Sequence, residues 1–304
     1  MVTVIVAVMV VAVAVATLPP TSSANDSSTK IQVVAAENFW GSLVSQIGGT
    51  HVNVLSVVSD PNADPHEYTS NTSTAQAISK ADYIIINGAG YDTWAENLIS
   101  AGTKSNVKIL NVADLLGKKE GDNPHFWYNI NYTNQVVSQM QRDLSSIDSS
   151  NSAYYQQQYT SLNSSLAKYQ GLAADIKQKF GGTQIAGTED IVEYLANSTG
   201  LDVVSPHSFM AAVAEGNDPS AADVATFENQ IQGKVSGVNV TVLVYNQQTV
   251  TPLTESVKAM AAQNGIPTVA ITETIQPPNV SFQDWMYSEL ISLENALNAK
   301  TMGG

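Results

Sequence analysis

The stretch Tyr155 to Gly182, "YQQQYTSLNSSLAKYQGLAADIKQKFGG", decides how the rest of the chain is read. Tyr155, Tyr159, Leu162, Leu166, Tyr169, Ala173, Ile176 and Phe180 follow one another in steps of four and three, no proline intervenes, and Gly181-Gly182 ends the run. Apolar residues at that spacing share one face of an α-helix, and glycine just past the last of them is a common stop. Some 28 residues at 1.5 Å each make a helix roughly 42 Å long, enough to flank two domains side by side. A coiled coil would show the same period, but a single short run between two α/β segments predicts an intramolecular backbone.

The segments on either side are α/β in pattern. Before the helix, "IQVVAA" (31–36), "VNVLSVV" (52–58), "YIIIN" (83–87) and "VKIL" (107–110) read as buried strands, with helices expected near 38–47, 73–80 and 91–101. After it, strands are expected near 183–187, 201–204, 240–245 and 266–271, each followed by a loop or helix. Alternating strand and helix implies parallel sheets covered on both faces. The fold class expected is α/β, two lobes each built on a parallel β-sheet flanked by helices and joined by one long helix. Residues 1–30 form a signal or anchor with linker, 31–150 the N-terminal lobe, 151–182 the connecting helix and 183–304 the C-terminal lobe.

Composition narrows the function. The 304 residues carry a formal charge of −14, which disfavours nucleic acid and acidic lipid and favours attraction of cations. Only 13% of residues are charged, so solubility rests on Ser, Thr, Asn and Gln. The opening run "MVTVIVAVMVVAVAVATL", followed by "PPTSSANDSSTK", reads as an export signal or N-terminal anchor, with Ala14-Val15-Ala16 resembling a small-residue cleavage site. The sequence holds no cysteine, which excludes disulfides, thiolate metal sites and a lipidated Cys. Asn-x-Ser/Thr acceptor sequences at Asn25, Asn71, Asn131, Asn163, Asn197, Asn239 and Asn279 fit an exported, glycosylated cell-surface protein.

The chemistry concentrates in few residues. Of the four histidines, His51 starts a strand and reads as an exposed edge residue, while His66, His125 and His207 each follow a proline. Proline fixes its own φ and stiffens the approach to the imidazole, which suits a ring nitrogen held on a ligand. "DPHEY" (64–68) and "NPHFW" (123–127) both end loops that follow strands, and Glu189 in "TQIAGTE" and Glu273 in "PTVAITE" end strands of the second lobe. Open α/β sheets bind ligands beyond the carboxyl ends of their strands. Two imidazoles and two carboxylates from four such ends can close around one ion, and nitrogen and oxygen donors without sulfur suit Zn²⁺, Mn²⁺ or Fe²⁺.

On these residues the chain resembles the metal-binding receptors of ABC-type importers, the ZnuA/TroA/PsaA kind, also called cluster A-I or solute-binding family 9. The resemblance runs from Ile31 to Leu297 and is carried by "DPHEY" with "AISKADYIIINGAGYDTW", "NPHFWYN", the long helix, "GTEDIVEYL", "LVYNQQTVTP" and "IPTVAITETIQPPNVSFQDWMYSELISL". It implies His66 and His125 as metal ligands from the first lobe, Glu189 as the third and Glu273 as the fourth. Asp284 in "FQDW" reads instead as an acid in the first turn of the last helix. "LLGKKEGDNPHF" lacks the His-rich loop of many zinc-type members, and His207 is at no position that the pattern requires.

The implied function is capture of one divalent ion, Mn²⁺ or Zn²⁺ with Fe²⁺ also accommodated, and its delivery to an ABC permease. The protein is expected outside the cytoplasm, as a monomer associated with the membrane through its N-terminal segment. Two rival readings are a secreted zinc metallohydrolase, for which the usual HExxH helix is missing, and a metal-binding surface adhesin without a transporter.

Overall fold

A computed structural model describes residues 30–60, 65 and 68–302. The expected signal or anchor lies outside the described residues, apart from residue 30, and so does His66. No helix among the described residues is long and apolar enough to cross a membrane.

The first half runs β1 (Ile31–Glu37), α1 (Asn38–Gly48), β2 (Val52–Val58), α2 (Thr72–Lys80), β3 (Tyr83–Ile86), α3 (Thr93–Ala101), β4 (Lys108–Asn111), α4 (Val112–Leu116) and α5 (Ile130–Ile147). The backbone helix α6 (Ser152–Phe180) follows. The second half runs β5 (Gln184–Gly187), α7 (Ile191–Thr199), β6 (Asp202–Val203), α8 (His207–Ala214), α9 (Ala221–Ile231), β7 (Leu243–Asn246), α10 (Pro252–Gln263), β8 (Thr268–Ile271) and α11 (Phe282–Met302). The two sheets are wholly parallel, ordered β2-β1-β3-β4 and β6-β5-β7-β8. In each, the chain reverses its direction of winding beside the first strand, β1 or β5, which leaves a crevice at the strands' carboxyl ends. Apart from Gln32, β1 is buried on both faces, and β3 is buried throughout, as expected where helices cover both sides.

Helix α6 occupies 29 residues, and its buried face is Tyr155, Leu162, Leu166, Tyr169, Leu172, Ala173, Ile176 and Phe180. Tyr159 is only half-buried and Leu172 takes its place in the face. That face packs against α1 and α5 of the first half and α7 and α11 of the second, so one apolar core runs through both sheets. Aromatic rings line it: Phe39 stacks on Trp127 at 4.0 Å within the first half, while Tyr128 meets Trp285 at 6.0 Å and Tyr169 of the backbone helix meets Phe282 at 6.1 Å, carrying the core into the second. A smaller apolar cluster lies on the other face of the first sheet beneath α2 and α3.

A polar seam also fastens α1 to the segment leading into α11. Asn38 Oδ1 accepts from Ile275 N at 3.1 Å, Ser42 Oγ from Phe282 N at 3.1 Å, and the amides of Gln46 and Gln283 pair at 2.8 and 3.2 Å. Residues 38, 42 and 46 lie one turn apart on one face of α1, so a single helical edge makes all three contacts. Core and seam together oppose a wide clamshell opening.

Two expectations need adjusting. The strand expected at 240–245 begins at Leu243, although Thr241 N already donates to Gln184 O at 2.9 Å. His51 is a half-buried residue in a short turn before β2, with its ring 4.6 Å from Tyr154 and 5.9 Å from Tyr155, because the start of α6 covers that strand end.

Candidate metal centre

Of the four residues singled out, His125, Glu189 and Glu273 are described, and all three lie beyond strand carboxyl ends, as the crevice rule requires. His66 lies outside the described residues; of its neighbours, Pro65 is buried, and Tyr68 N donates to Pro65 O at 3.3 Å.

His125 is wholly buried. Asn123 Oδ1 accepts from its backbone N at 3.0 Å and meets Nδ1 at 2.9 Å, while Asp190 Oδ1 stands 3.3 Å from the same ring nitrogen. Partners on Nδ1 fix the ring's orientation and direct Nε2 toward a ligand. The loop itself is bolted down from beneath. Asn87 Nδ2 donates to Pro124 O at 2.9 Å, Trp40 Nε1 donates to Asn87 Oδ1 at 3.1 Å, and the Asp92 carboxylate accepts from the backbone of Asn87 and Gly88 at 2.6 and 2.8 Å. Gly88 is required there: its φ is +74°, and a Cβ would fall 2.2 Å from Asn111 Oδ1. Asn123 Nδ2 also reaches α7, donating to Asp190 O at 2.7 Å and Glu193 Oε2 at 3.1 Å, so this loop of the first half is tied to the second.

The two carboxyl groups meet at Asn246, the last residue of β7. Its Nδ2 donates to Glu189 Oε2 at 2.9 Å and Glu273 Oε1 at 2.6 Å, with Thr249 Oγ1 at 3.0 Å. Tyr91 of the first half donates its hydroxyl to Glu273 Oε2 at 2.7 Å, with its ring 6.2 Å from that of His125. Glu189 Oε1 is buried and accepts no hydrogen bond among the described residues. Gly187 packs the approach to Glu189 tightly, since a Cβ there would lie 2.3 Å from Val192 Cγ1.

The electrostatics follow from this crowding. Burial, then the neighbouring Glu273, pushes the Glu189 carboxyl up to about 8, against Asn246 and His125, which pull it down. Burial would lower His125, but the hydrogen bond and charge of Asp190, with Glu273 and Glu189 behind, hold it above its ordinary value. Each side of the cluster is therefore a proton holder that a cation would displace. Among the described residues no three His, Asp or Glu side chains form a constellation that by itself holds a metal ion. A cleft of about 390 Å³ leads from solvent to His125, lined also by Tyr91, Glu120, Asn123, Asp190 and His207.

The remaining residues weighed from sequence fall outside this cluster. His207 is an exposed residue at the start of α8, its Nδ1 2.7 Å from Glu193 Oε1, at the mouth of the cleft. Asp284 is in the first turn of α11 and bonded to Ser281, whose Oγ accepts from Asp284 N at 3.2 Å. Tyr91, Asn123, Asp190 and Asn246 were not anticipated as site residues. All are polar groups at or just past strand ends or beside a ligand candidate, and that position was their available signal.

The fold is a two-lobed parallel α/β chain with imidazole and carboxyl groups gathered between the lobes. Residues 33–296 match the family described as "ZnuA: Zinc-uptake complex component A periplasmic", and the chain belongs to that family. It is 28% identical over 172 residues to the manganese ABC transporter substrate-binding lipoprotein scaA of Streptococcus gordonii, covering 52% of this chain and 54% of that one. To the manganese-binding lipoprotein MntA of Halalkalibacterium halodurans it is 29% identical over 119 residues, 38% of this chain and 39% of that one. The matches thus span from about two fifths to about half of these curated relatives. Among solved structures, the substrate-binding protein FpvC of Pseudomonas aeruginosa in complex with Mn²⁺ shares the fold with TM-score 0.73 and 18% identity over 89% of this chain and 99% of that one. The Cd-bound periplasmic metal-binding protein of candidatus Liberibacter asiaticus gives 0.72 and 17% over 88% and 99%.

Proposed function

We propose that this chain is the receptor of an ABC-type metal importer, taking one divalent transition metal ion into the interlobe cleft outside the cytoplasm and passing it to a membrane permease. The ligands in this reading are His66, His125, Glu189 and Glu273. The single observation that carries it is the pair of buried carboxyl groups, Glu189 and Glu273, held together by the Asn246 amide beside the buried His125. Two such groups at close quarters repel when ionised, and a cation placed between them relieves that repulsion. A divalent cation held by both carboxylates brings two positive charges to the pair, and losing it again costs several kcal/mol. Family membership and the relatives' names point the same way.

The role is binding and handover, with no bond made or broken in the ion's passage. Two nitrogens and two carboxylates accept both Mn²⁺ and Zn²⁺. The chain works as a monomer held at the membrane by the segment 1–30, with residues 31–150 and 183–304 as the two metal-binding lobes. Five of its acceptor asparagines, Asn71, Asn131, Asn197, Asn239 and Asn279, are exposed, which leaves them open to glycosylation.

Metal analysis of the chain purified from metal-replete medium tests this. One Mn²⁺ or Zn²⁺ per chain, lost in His66→Ala and accompanied by no hydrolytic activity, supports the receptor. A metal-free wild type overturns it.

A further inference from the structure

Beneath the cleft, a second buried carboxyl group joins the two halves. Glu289 of α11 is 8% exposed, and its Oε1 accepts from Thr272 N and Trp285 Nε1, both at 2.9 Å. Its Oε2 lies 2.6 Å from the hydroxyl of Tyr128, three residues after His125, and the same hydroxyl lies 2.7 Å from Thr272 O. A phenol has one proton, and here it faces two acceptors at short range. If Glu289 were ionised, it would take that proton and leave Thr272 O against a phenol oxygen with none to offer. Buried, such an orphaned acceptor is unfavourable. With a proton on Oε2 every contact is satisfied: Glu289 donates to Tyr128, and Tyr128 donates to Thr272 O.

We infer that Glu289 carries a proton in the folded chain and acts, through Tyr128 and Thr272, as a positioning residue that locks the loop bearing His125 to the strand end bearing Glu273. Thr272 directly precedes Glu273, so the lock fixes the two sides of the cleft relative to each other. Burial pushes the Glu289 carboxyl up to about 7, although the bonds from Tyr128, Thr272 and Trp285 oppose it. Among the described residues its hydrogen-bond partners include no cation. The titratable groups facing it are Tyr128 itself, Tyr169 of α6 across a small shared cavity, and Glu273 beyond Thr272. Tyr169 favours the protonated form by helping to exclude water, whereas the hydrogen bond from Tyr128 opposes it.

The consequence for the ion rests on the metal-receptor reading; the proton and its lock do not. The test is therefore made first on the metal-free chain, by denaturant unfolding of wild type and Glu289→Gln at pH 5 and pH 8.5. An amide reproduces both the donor and the acceptor of a protonated carboxyl. Glu289→Gln should match wild type within a few-fold in unfolding constant at pH 5 and be at least tenfold more resistant to unfolding at pH 8.5, where wild type must lose the proton. The carbonyl stretch of a protonated carboxyl should be present in the infrared spectrum of wild type at pH 5 and diminished in the variant. A variant that is equally destabilised at both pH values, or that does not fold, means an ionised Glu289 and overturns the inference. Calorimetry with Mn²⁺ then tests the positioning role: Glu289→Gln should bind at pH 7 within a few-fold of wild type and Glu289→Ala at least tenfold more weakly. Equal binding by all three overturns the positioning, and absence of binding by wild type contradicts the receptor reading alone.

Discussion

The two halves bring unlike chemistry to the cleft and hold it in unlike ways. The first contributes an imidazole, His125, set in a loop fastened through Asn123, Asn87, Trp40 and Asp92 to the backbone and core beneath it. The second contributes two carboxyl groups, Glu189 and Glu273, whose mutual approach depends on one amide, that of Asn246. In the proposed reading the imidazole side is pre-organised before an ion arrives, while the carboxyl side stores repulsion and protons that an ion would relieve. On that reading, affinity on the first side would come from geometry, and on the second from charge.

Removing the fixed side should do the most damage. His125→Ala deletes the buried imidazole of the proposed site, and ion affinity measured by calorimetry should fall by more than about 100-fold. Asn246→Ala attacks the other side by freeing the carboxyl groups to part; affinity should fall by about 10- to 100-fold. Unchanged affinity there would mean that the clamp is incidental. Tyr91→Phe removes the hydrogen bond from the first half to Glu273 and should cost about tenfold, read in the same titration. The smallest effect belongs to the seam, where Ser42→Ala leaves Phe282 N without its partner and should lower unfolding stability by roughly 1 kcal/mol in a denaturant titration.

The charged side also sets the response to pH. Burial raises Asp92 to about 6 and Glu189 to about 8, so the folded chain keeps protons that the unfolded chain releases near pH 4. Their contribution to stability is complete below that value and is lost as pH rises through 6 and then 8. Asp82 and Asp148 act with the opposite sign: though burial opposes it, Lys104 lowers the first and hydroxyl and amide donors the second, so their contribution disappears as pH falls below about 4. The metal-free chain should therefore melt at a higher temperature at pH 5 than at pH 8, while ion affinity should weaken over the same descent because protons compete for His125 and Glu189. A melting temperature that climbs from pH 5 to pH 8 would contradict the assignment of these protons.

The fold was largely legible because its signals were periodic. The face of α6 appeared as an uninterrupted three-and-four pattern, and the buried strands as short Val/Ile runs between helical segments. Helix α5 was not called out, since "NYTNQVVSQMQRDLSSI" mixes polar residues into its inner face; there the buried Asp143 accepts from Tyr83 at 2.9 Å and pairs with Lys108 at 3.2 Å. At the centre, His125, Glu189 and Glu273 could be named from strand ends, because that position follows from chain order. Asn246 and Tyr91 also stand at or just past strand ends, but their value lies in reaching residues 57 and 182 positions away in the chain, which position alone does not reveal. Pairings of that range belong to the packed structure and leave no local trace.

The central claim is that unlike donors from both halves close on one divalent ion. The most direct measurement is titration of Mn²⁺ and Zn²⁺ into the chelator-stripped full chain, wild type and His125→Ala, at pH 7. One site per wild-type chain, proton release on binding, and affinity lost in the variant are predicted. Equal stoichiometry and affinity in both proteins would contradict the claim.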